Sequence, residues 1–493
     1  MKGKPLYEVE DSFGVRTSVR VPFLTLLTCA LLIAGCATKP PPTRAEIRQQ
    51  SGTISGLAPA SAWKAGGAEG KISDNWLATF NDPQLDALVR EAVANNPDLR
   101  VSATRVEQAS QYVELSKAAL RPAVNLLGMG GYNLGDGSSA LQGVFIGASW
   151  EMDVWGRLRY GRNAAQETYA STQADFEFAR QSLAATTAQS WFTASETWLQ
   201  LQIAGEMVKS AQQLVSLAEK RQQVGVGNEQ DAALSRANLG NFQDNAAQIR
   251  LAHSQTLRAL ELLLGRYPAA ELKARQEIDR FPGPMPVGMP LESLERRPDL
   301  IAAERRVAAA FDRVGEAKTA RLPRLSLNAS IADISSEVLQ LKTDYENPSS
   351  GAGGKILAPI YQGGALNTQV EIRTIEQKEA VAQYARMALR AIGDVEKALA
   401  AERTLAERVQ LLQRIVADNQ RAFELAQTSY RVGKTDLRAV QQQQLSLYAS
   451  RLTQLRVQSE QLSQRVNLHL ALGGSFENPI VVEPAETIKT TIQ

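Results

Sequence analysis

Two thiols occur in the 493 residues, Cys29 and Cys36, and both lie in one apolar run near the N-terminus. The body of the chain therefore has no cysteine for a disulfide, a metal or a nucleophilic attack. Cys36 follows Ile33-Ala34-Gly35. This run resembles a bacterial lipoprotein processing site, where small residues suit the peptidase and the sulfur carries a diacylglyceryl group, so Cys36 is the expected lipidation site; the alternative is an ordinary secretory signal with a chance cysteine. One acyl chain gives only marginal membrane attachment, and N-acylation with a palmitate-type chain supplies the second signal that stable anchoring needs. Ala37 comes next, rather than the aspartate that commonly retains such lipoproteins in the inner membrane, which points to the outer membrane.

No other residues assemble a reactive set. His253 and His469 are the two histidines, and no histidine, cysteine or carboxylate cluster has metal-ligand spacing. No nucleophile has a partner base in sight. Gly351-Ala352-Gly353-Gly354 lacks the Gly-Lys-Ser/Thr of a phosphate loop and reads as a loop beside a strand. Catalysis, a metal and a cofactor are all unexpected. Lys+Arg 54 against Asp+Glu 52 leaves a net charge of +2, which provides no basic field for nucleic acid. Hydrophobic content of 44% with 22% charged residues is that of a globular chain.

The apolar run from Phe23 to Ala34, behind Arg16 and Arg20, is shorter than the roughly 20 residues of a membrane-spanning helix and reads as a secretory signal. Glu8, Glu10 and Asp11 are foreign to such a signal and place its functional start after them. Behind Cys36, Pro40-Pro41-Pro42 and a Gly/Ala/Ser-rich stretch to about Gly70 predict an extended tether.

From there the chain is one unit written twice. Asn96-Pro97-Asp98-Leu99 returns as Arg297-Pro298-Asp299-Leu300, and 201 residues separate Pro97 from Pro298 and Pro122 from Pro323. Further on the offset is 208, from Gly156 to Gly364 and from Gly265 to Gly473. The expected division is a signal at 1–35, a lipidated N-terminus and linker at 36–72, repeat one at 73–285, repeat two at 286–475 and a tail at 476–493. Each repeat runs through an equatorial segment, a helix, a β-hairpin, a long helix, a tip turn and a return helix.

The strands are legible from alternation. Val144, Ile146, Ala148, Trp150, Met152 and Val154 interleave with Phe145, Gly147, Ser149, Glu151 and Asp153; Leu325, Leu327, Ala329 and Ile331 interleave with Ser326, Asn328 and Ser330. One face is apolar and the other polar, as in a sheet that separates lipid from water, although the edge of a soluble sandwich alternates likewise. Partner strands are expected near Ala123 to Tyr132 and Gly354 to Tyr361, with loops at Asn133 to Ala140 and Ser335 to Gly351.

No proline interrupts Pro122 to Pro268 or Pro359 to Pro479, and apolar residues there recur at spacings of three and four, as in Met207, Val208, Ala211, Leu214, Val215 and Ala218. Glycine breaks each run once, at Val224-Gly225-Val226-Gly227-Asn228 and at Val432-Gly433-Lys434-Thr435. The first long helix, Arg162 to Val224, is roughly 95 Å, and its return, Asp231 to Leu264, only roughly 51 Å. The helix from Pro97 to Leu120 makes up the difference if it stacks end to end with the return, and the second half repeats the scheme.

Four strands cannot close a barrel. Spanning barrels need about eight, because an open edge leaves amides unpaired in hydrocarbon. The membrane reading therefore demands that several copies share one barrel.

At this point the motifs resemble a family. The opening Trp76 to Leu85, Arg297-Pro298-Asp299-Leu300, Ser149-Trp150-Glu151-Met152-Asp153-Val154-Trp155-Gly156-Arg157-Leu158, Ala358-Pro359-Ile360-Tyr361-Gln362-Gly363-Gly364 and Tyr430-Arg431-Val432-Gly433 are similar to the TolC-like outer membrane factors, in the lipoprotein (NodT-type) branch of drug-efflux channels. The resemblance covers about Ser73 to Leu472. It implies a mainly α fold with a membrane β part: a homotrimer whose twelve-stranded barrel, four strands per chain, continues into a long α-helical barrel in the periplasm. It also implies a periplasmic adaptor (membrane fusion protein) and an inner-membrane pump of the RND type as partners, besides outer-membrane lipid.

On that resemblance Val224, Gly225 and Gly227, with Arg431, Val432 and Gly433, are adaptor contacts at the periplasmic tip; as residues alone they are turn-formers joining helices. Asp231 and Asp436 follow the two turns, where carboxylates cap a helix start or, in a trimer, ring the pore entrance. Where relatives often carry an acidic constriction, this chain has Gln441-Gln442-Gln443-Gln444, so a neutral entrance at Gln442 is expected. The implied function is a passive exit duct opened at its tip by the adaptor. The alternatives are a pore-free adaptor or scaffold lipoprotein, which would show one helical hairpin between β domains, and the exit channel of a type I protein secretion system, which shares the fold.

Overall fold

The computed structural model of the protein describes residues 38–55, 62–68, 70–130, 142–275, 277–278, 281–283, 285–335 and 349–477. The signal, Cys36, the loop at 133–140 and nearly all of the loop and tail expected at 335–351 and 476–493 lie outside the described residues. The chain divides into two units, one made of 1–40, 118–161 and 315–370 and the other of 41–117, 162–314 and 371–493.

The first unit holds one antiparallel sheet in the order β1 (Ala123–Met129), β2 (Gln142–Met152), β3 (Arg324–Ser335) and β4 (Ser349–Leu357). Among the described residues β1 and β4 are its unpaired edges. Register assigns the two faces. Val124, Leu126, Val144, Ile146, Ala148, Trp150, Leu325, Leu327, Ala329, Ile331, Ala352 and Ile356 share one side; Asn125, Gly147, Ser149, Glu151, Ser326, Asn328, Ser330 and Lys355 share the other. Val124 and Leu126 are 69% and 71% exposed and Ile356 is 72%, so much of the apolar face is uncovered among the described residues. Large exposed apolar faces mark a surface that meets lipid or protein.

Two strand expectations need correction. β4 starts at Ser349 rather than Gly354, so Gly351-Ala352-Gly353-Gly354 is strand and not loop. Gly351 and Gly353 pair with Ser330 and Asn328, and the β3 ladder, not intrinsic propensity, holds this glycine-rich segment extended. β2 ends at Met152 rather than running to Val154, because Asp153 turns inward to accept hydrogen bonds from the amides of Leu158 (3.0 Å) and Arg159 (2.9 Å). That side-chain cap starts the long helix at Arg157. At the strand feet the Trp150 and Trp155 indoles donate to the carbonyls of Leu120 (2.9 Å) and Pro323 (2.8 Å). The Lys39 amide donates to the Tyr160 hydroxyl at 2.8 Å, and the Tyr160 ring fills the space beside Gly315.

In the second unit the described N-terminal stretch forms helix α1 (Arg44–Ser55), where a tether was expected. Ile47 is fully buried among Leu300, Val307, Val381 and Tyr384, and Arg44 and Arg48 pair with Glu304 and Glu295. Further along, Glu396 accepts from the amides of Lys64 and Ala65, both at 2.8 Å. Two isoleucines seven residues apart in a polar stretch, Ile47 and Ile54, are too weak a signal to predict this packing.

After a 3-10 turn at Trp76–Phe80 come α2 (Pro83–Asn95) and α3 (Pro97–Ala118), then α4 (Arg157–Gln223) and α5 (Glu229–Leu263). The second half repeats them as α6 (Pro290–Arg296), α7 (Pro298–Thr319), α8 (Ala365–Arg431) and α9 (Leu437–Ala471). α4 and α8 have 67 residues each, roughly 100 Å, and α5 and α9 have 35 each, all at the 208 offset. The end-to-end junctions are built alike from different residues. Asn96 donates to the Leu263 carbonyl (3.0 Å), and Arg297 donates to the Ala471 carbonyl (3.0 Å). Each return helix then ends in a left-handed glycine, Gly265 (φ 71°) or Gly473 (φ 72°). A Cβ there would stand 2.8 Å from the Asn95 oxygen or 3.0 Å from the Arg296 carbonyl carbon, so the junction needs glycine twice over.

The largest apolar cluster joins Trp76, Phe80, Leu85 and Val89 to Trp191 and Phe192 of α4, Leu257 and Leu260 of α5, and Leu462 and Val466 of α9. Trp191 donates to Asp82 at 2.9 Å, and the same aspartate caps α2. Phe476, assigned from sequence to the tail, is 2% exposed in this cluster.

Candidate functional site

Both glycine turns lie in the second unit and have the same wiring. At the end of α4, Val224, Gly225 and Val226 donate to the carbonyls of Lys220 (3.2 Å), Gln222 (3.1 Å) and Arg221 (2.9 Å). At the end of α8, Val432, Gly433 and Lys434 donate to Thr428 (3.3 Å), Tyr430 (3.1 Å) and Ser429 (2.9 Å). Gly225 and Gly433 both sit at φ 76°, the left-handed conformation that closes a helix C-terminus. Gly227 is constrained by space instead, since a Cβ would lie 3.0 Å from the Arg221 carbonyl carbon.

Past the turns the two halves differ from the sequence expectation. Asp436 caps α9 by accepting from the Ala439 amide at 2.9 Å, but Asp231 does not cap α5; Asn228 does, accepting from the Asp231 amide at 2.7 Å. Asn228 lies 208 residues before Asp436, so strict use of the offset picks it out, whereas Asp231 stands three residues too far. The carboxylates are thus not an equivalent pair. Asp436 is exposed and Asp231 half-buried.

The two turns are tied by residues that sequence reading missed. Arg221, in the last turn of α4, donates to the Tyr430 carbonyl at 2.9 Å and stacks its guanidinium 4.7 Å from the Tyr430 ring centre. Tyr430 is 2% exposed among Leu214, Phe423, Leu437, Val440 and Leu447. Burial pushes its phenol above the usual range, with the Arg221 charge opposing, and the hydroxyl has no hydrogen-bond partner among the described residues. At the 208 offset Arg221 matches Ser429 and Tyr430 matches Gln222, so the tie has no second copy. A guanidinium opposite an aromatic at unequal repeat positions was the available signal.

Of the four glutamines, Gln441 and Gln444 are buried and donate to Ser235 (3.5 Å) and Ser210 (3.0 Å), joining α9 to α5 and α4. Gln442 faces out. Val224, Val226 and Val432 are 72%, 64% and 64% exposed, and Arg431 is exposed beside them, holding Gln427 at 3.0 Å. The turns thus present apolar tips on a rigid, capped frame.

Residues 88–266 and 289–474, the bulk of both repeats, match the family model described as outer membrane efflux protein. The chain belongs to that family. The pyoverdine export outer membrane protein OpmQ of Pseudomonas putida is 31% identical over 474 residues, 92% of this chain and 97% of that one. The cation efflux system protein CusC of Escherichia coli is 30% identical over 462 residues, 91% of this chain and 97% of that one. The crystal structure of the Campylobacter jejuni CmeC outer membrane channel has the same fold, with a TM-score of 0.77 at 22% identity over 85% of this chain and 93% of that one. This outer membrane efflux protein is a channel component rather than an enzyme. Its two helical hairpins, interleaved with strands, also rule out the pore-free adaptor reading, which required one.

Proposed function

We propose that three copies of this outer membrane efflux protein close one barrel, β4 of each pairing with β1 of the next, and form the exit duct for small molecules delivered by an inner-membrane pump of the RND type. The observation that carries this reading is a two-faced sheet with both edges unpaired. In hydrocarbon each open edge costs several kcal/mol per unpaired group, and only closure removes edges. The periplasmic adaptor docks on the turns at Val224, Gly225, Gly227, Arg431, Val432 and Gly433, whose exposed valines and fixed geometry suit a helical-hairpin partner. Adaptor docking separates α4 from α8 and breaks the Arg221–Tyr430 tie, which otherwise holds the tip shut. Asp231, Asp436 and Gln442 line the entrance, with Cys36 carrying the lipid anchor. Relatives are named for pyoverdine export and for cation efflux, so the duct itself admits chemically unrelated cargo and selection lies upstream. Purified protein tests the reading. Detergent-solubilised trimers that conduct in planar bilayers are expected; a conductance-free monomer overturns it.

A further inference from the structure

Toward its outer end the polar sheet face turns apolar. Rising from the strand feet, the paired residues are Glu151, Ser326 and Lys355, then Ala123, Ser149, Asn328 and Gly353, then Asn125, Gly147, Ser330 and Gly351. The next row, toward the connections between β1 and β2 and between β3 and β4, joins Leu127, Phe145, Ala332 and Ser349, and the row beyond it joins Met129, Gly143 and Ile334. Leu127 is 52% exposed and Phe145 half-buried, while Ala332 is buried at 8% and backs the row rather than projecting from it. The Phe145 ring folds back along its own strand: a Cβ on Gly147 would lie 2.6 Å from Cε1 and 3.0 Å from Cζ of that ring.

We propose that Leu127, Phe145 and Ala332 form an apolar collar inside the outer end of the duct, a site that binds aromatic and amphiphilic solutes as they leave and hinders hydrated ions. The proposal rests on the trimeric duct above, in which the polar face lines the lumen and three phenyl rings reach one level. Aromatic faces attract cations and stack on other rings, and apolar constrictions raise the barrier to water and ions. Gly147 gives the ring room to lie against the wall. The competing account is that Phe145 only shields the backbone at Gly147, as aromatic side chains do for glycine in sheets.

Block of potassium chloride current by tetraphenylphosphonium added on the outer side of a planar bilayer separates the two. Wild-type trimers are expected to be blocked, and Phe145→Ser should weaken the block about tenfold, the effect of losing one well-formed aromatic contact. Should that variant not assemble, Phe145→Leu, which keeps bulk but loses the π face, should weaken it about threefold. Asn125→Ala, one row away, should leave it unchanged. Gly147→Val should push the ring inward and cut the conductance at least about twofold. Equal block of wild type and both Phe145 variants, or equal weakening by Asn125→Ala, overturns the collar. Wild-type protein that forms no channels overturns the trimeric duct instead.

Discussion

Single residues set how this chain answers to pH and how its turns hold. His469 is 1% exposed, stacked on Trp76 with neither ring nitrogen bonded among the described residues. Burial, helped by the Arg465 charge, lowers its pKa to about 3. The unfolded chain takes up that proton near pH 6.5 and the folded one does not, so stability falls as pH drops from 6.5 toward 3, by about 1.4 kcal/mol per unit. His469→Leu should flatten the thermal-melting curve between pH 7 and pH 5. Asp312 works in the opposite sense. It is 1% exposed with neither oxygen bonded among the described residues, and burial, reinforced by Glu167, raises its pKa to about 7. Its contribution is complete below pH 3.8 and is lost as pH rises to 7. Asp312→Asn should remove that loss, read as a smaller fall in melting temperature between pH 4 and pH 7. In the second turn, Gly433→Pro is incompatible with φ 76° and deletes the amide that bonds to Tyr430. Trimers should persist in that variant while efflux stops; undiminished efflux removes the turn from the mechanism.

At the scale of elements, the duplication repeats backbone devices and varies the side chains that make them. Asn228 and Asp436 cap α5 and α9, and replacing either with alanine should cost about 1 kcal/mol in thermal unfolding. Asp231→Ala should cost much less, because the fold does not use it as a cap. Repeat lengths, helix periodicity and the two turns were all legible in the sequence, since proline, glycine and apolar spacing act locally. The start of β4 was not, because Ser349-Ser350-Gly351-Ala352-Gly353-Gly354 has no strand propensity and takes its conformation from β3. Helix α1 was missed for a related reason: a 12-residue polar segment is helical only because Ile47, Arg44 and Arg48 find partners far away in the chain.

For the whole molecule, the asymmetry between the halves matters more than their likeness. The Arg221–Tyr430 tie occurs once per chain and joins the first turn to the second. Arg221→Ala should raise single-channel conductance severalfold by releasing the tip, and unchanged conductance would place the closure elsewhere. Cys36→Ser should abolish acylation, measured as intact mass; native acyl mass on that variant would refute the lipid anchor.

The sequence by itself determined the doubled architecture, the alternating strands and the positions of both turns, because each follows from local pattern. It also required partners, since four amphipathic strands leave edges that hydrocarbon does not tolerate. Only the tertiary structure decided which residue caps α5, what becomes of the glutamines, and that Arg221 lies on Tyr430. The α5 cap is a local choice between neighbouring side chains, but the other two outcomes depend on contacts across 200 residues or more, where burial and geometry, not spacing, select the partner.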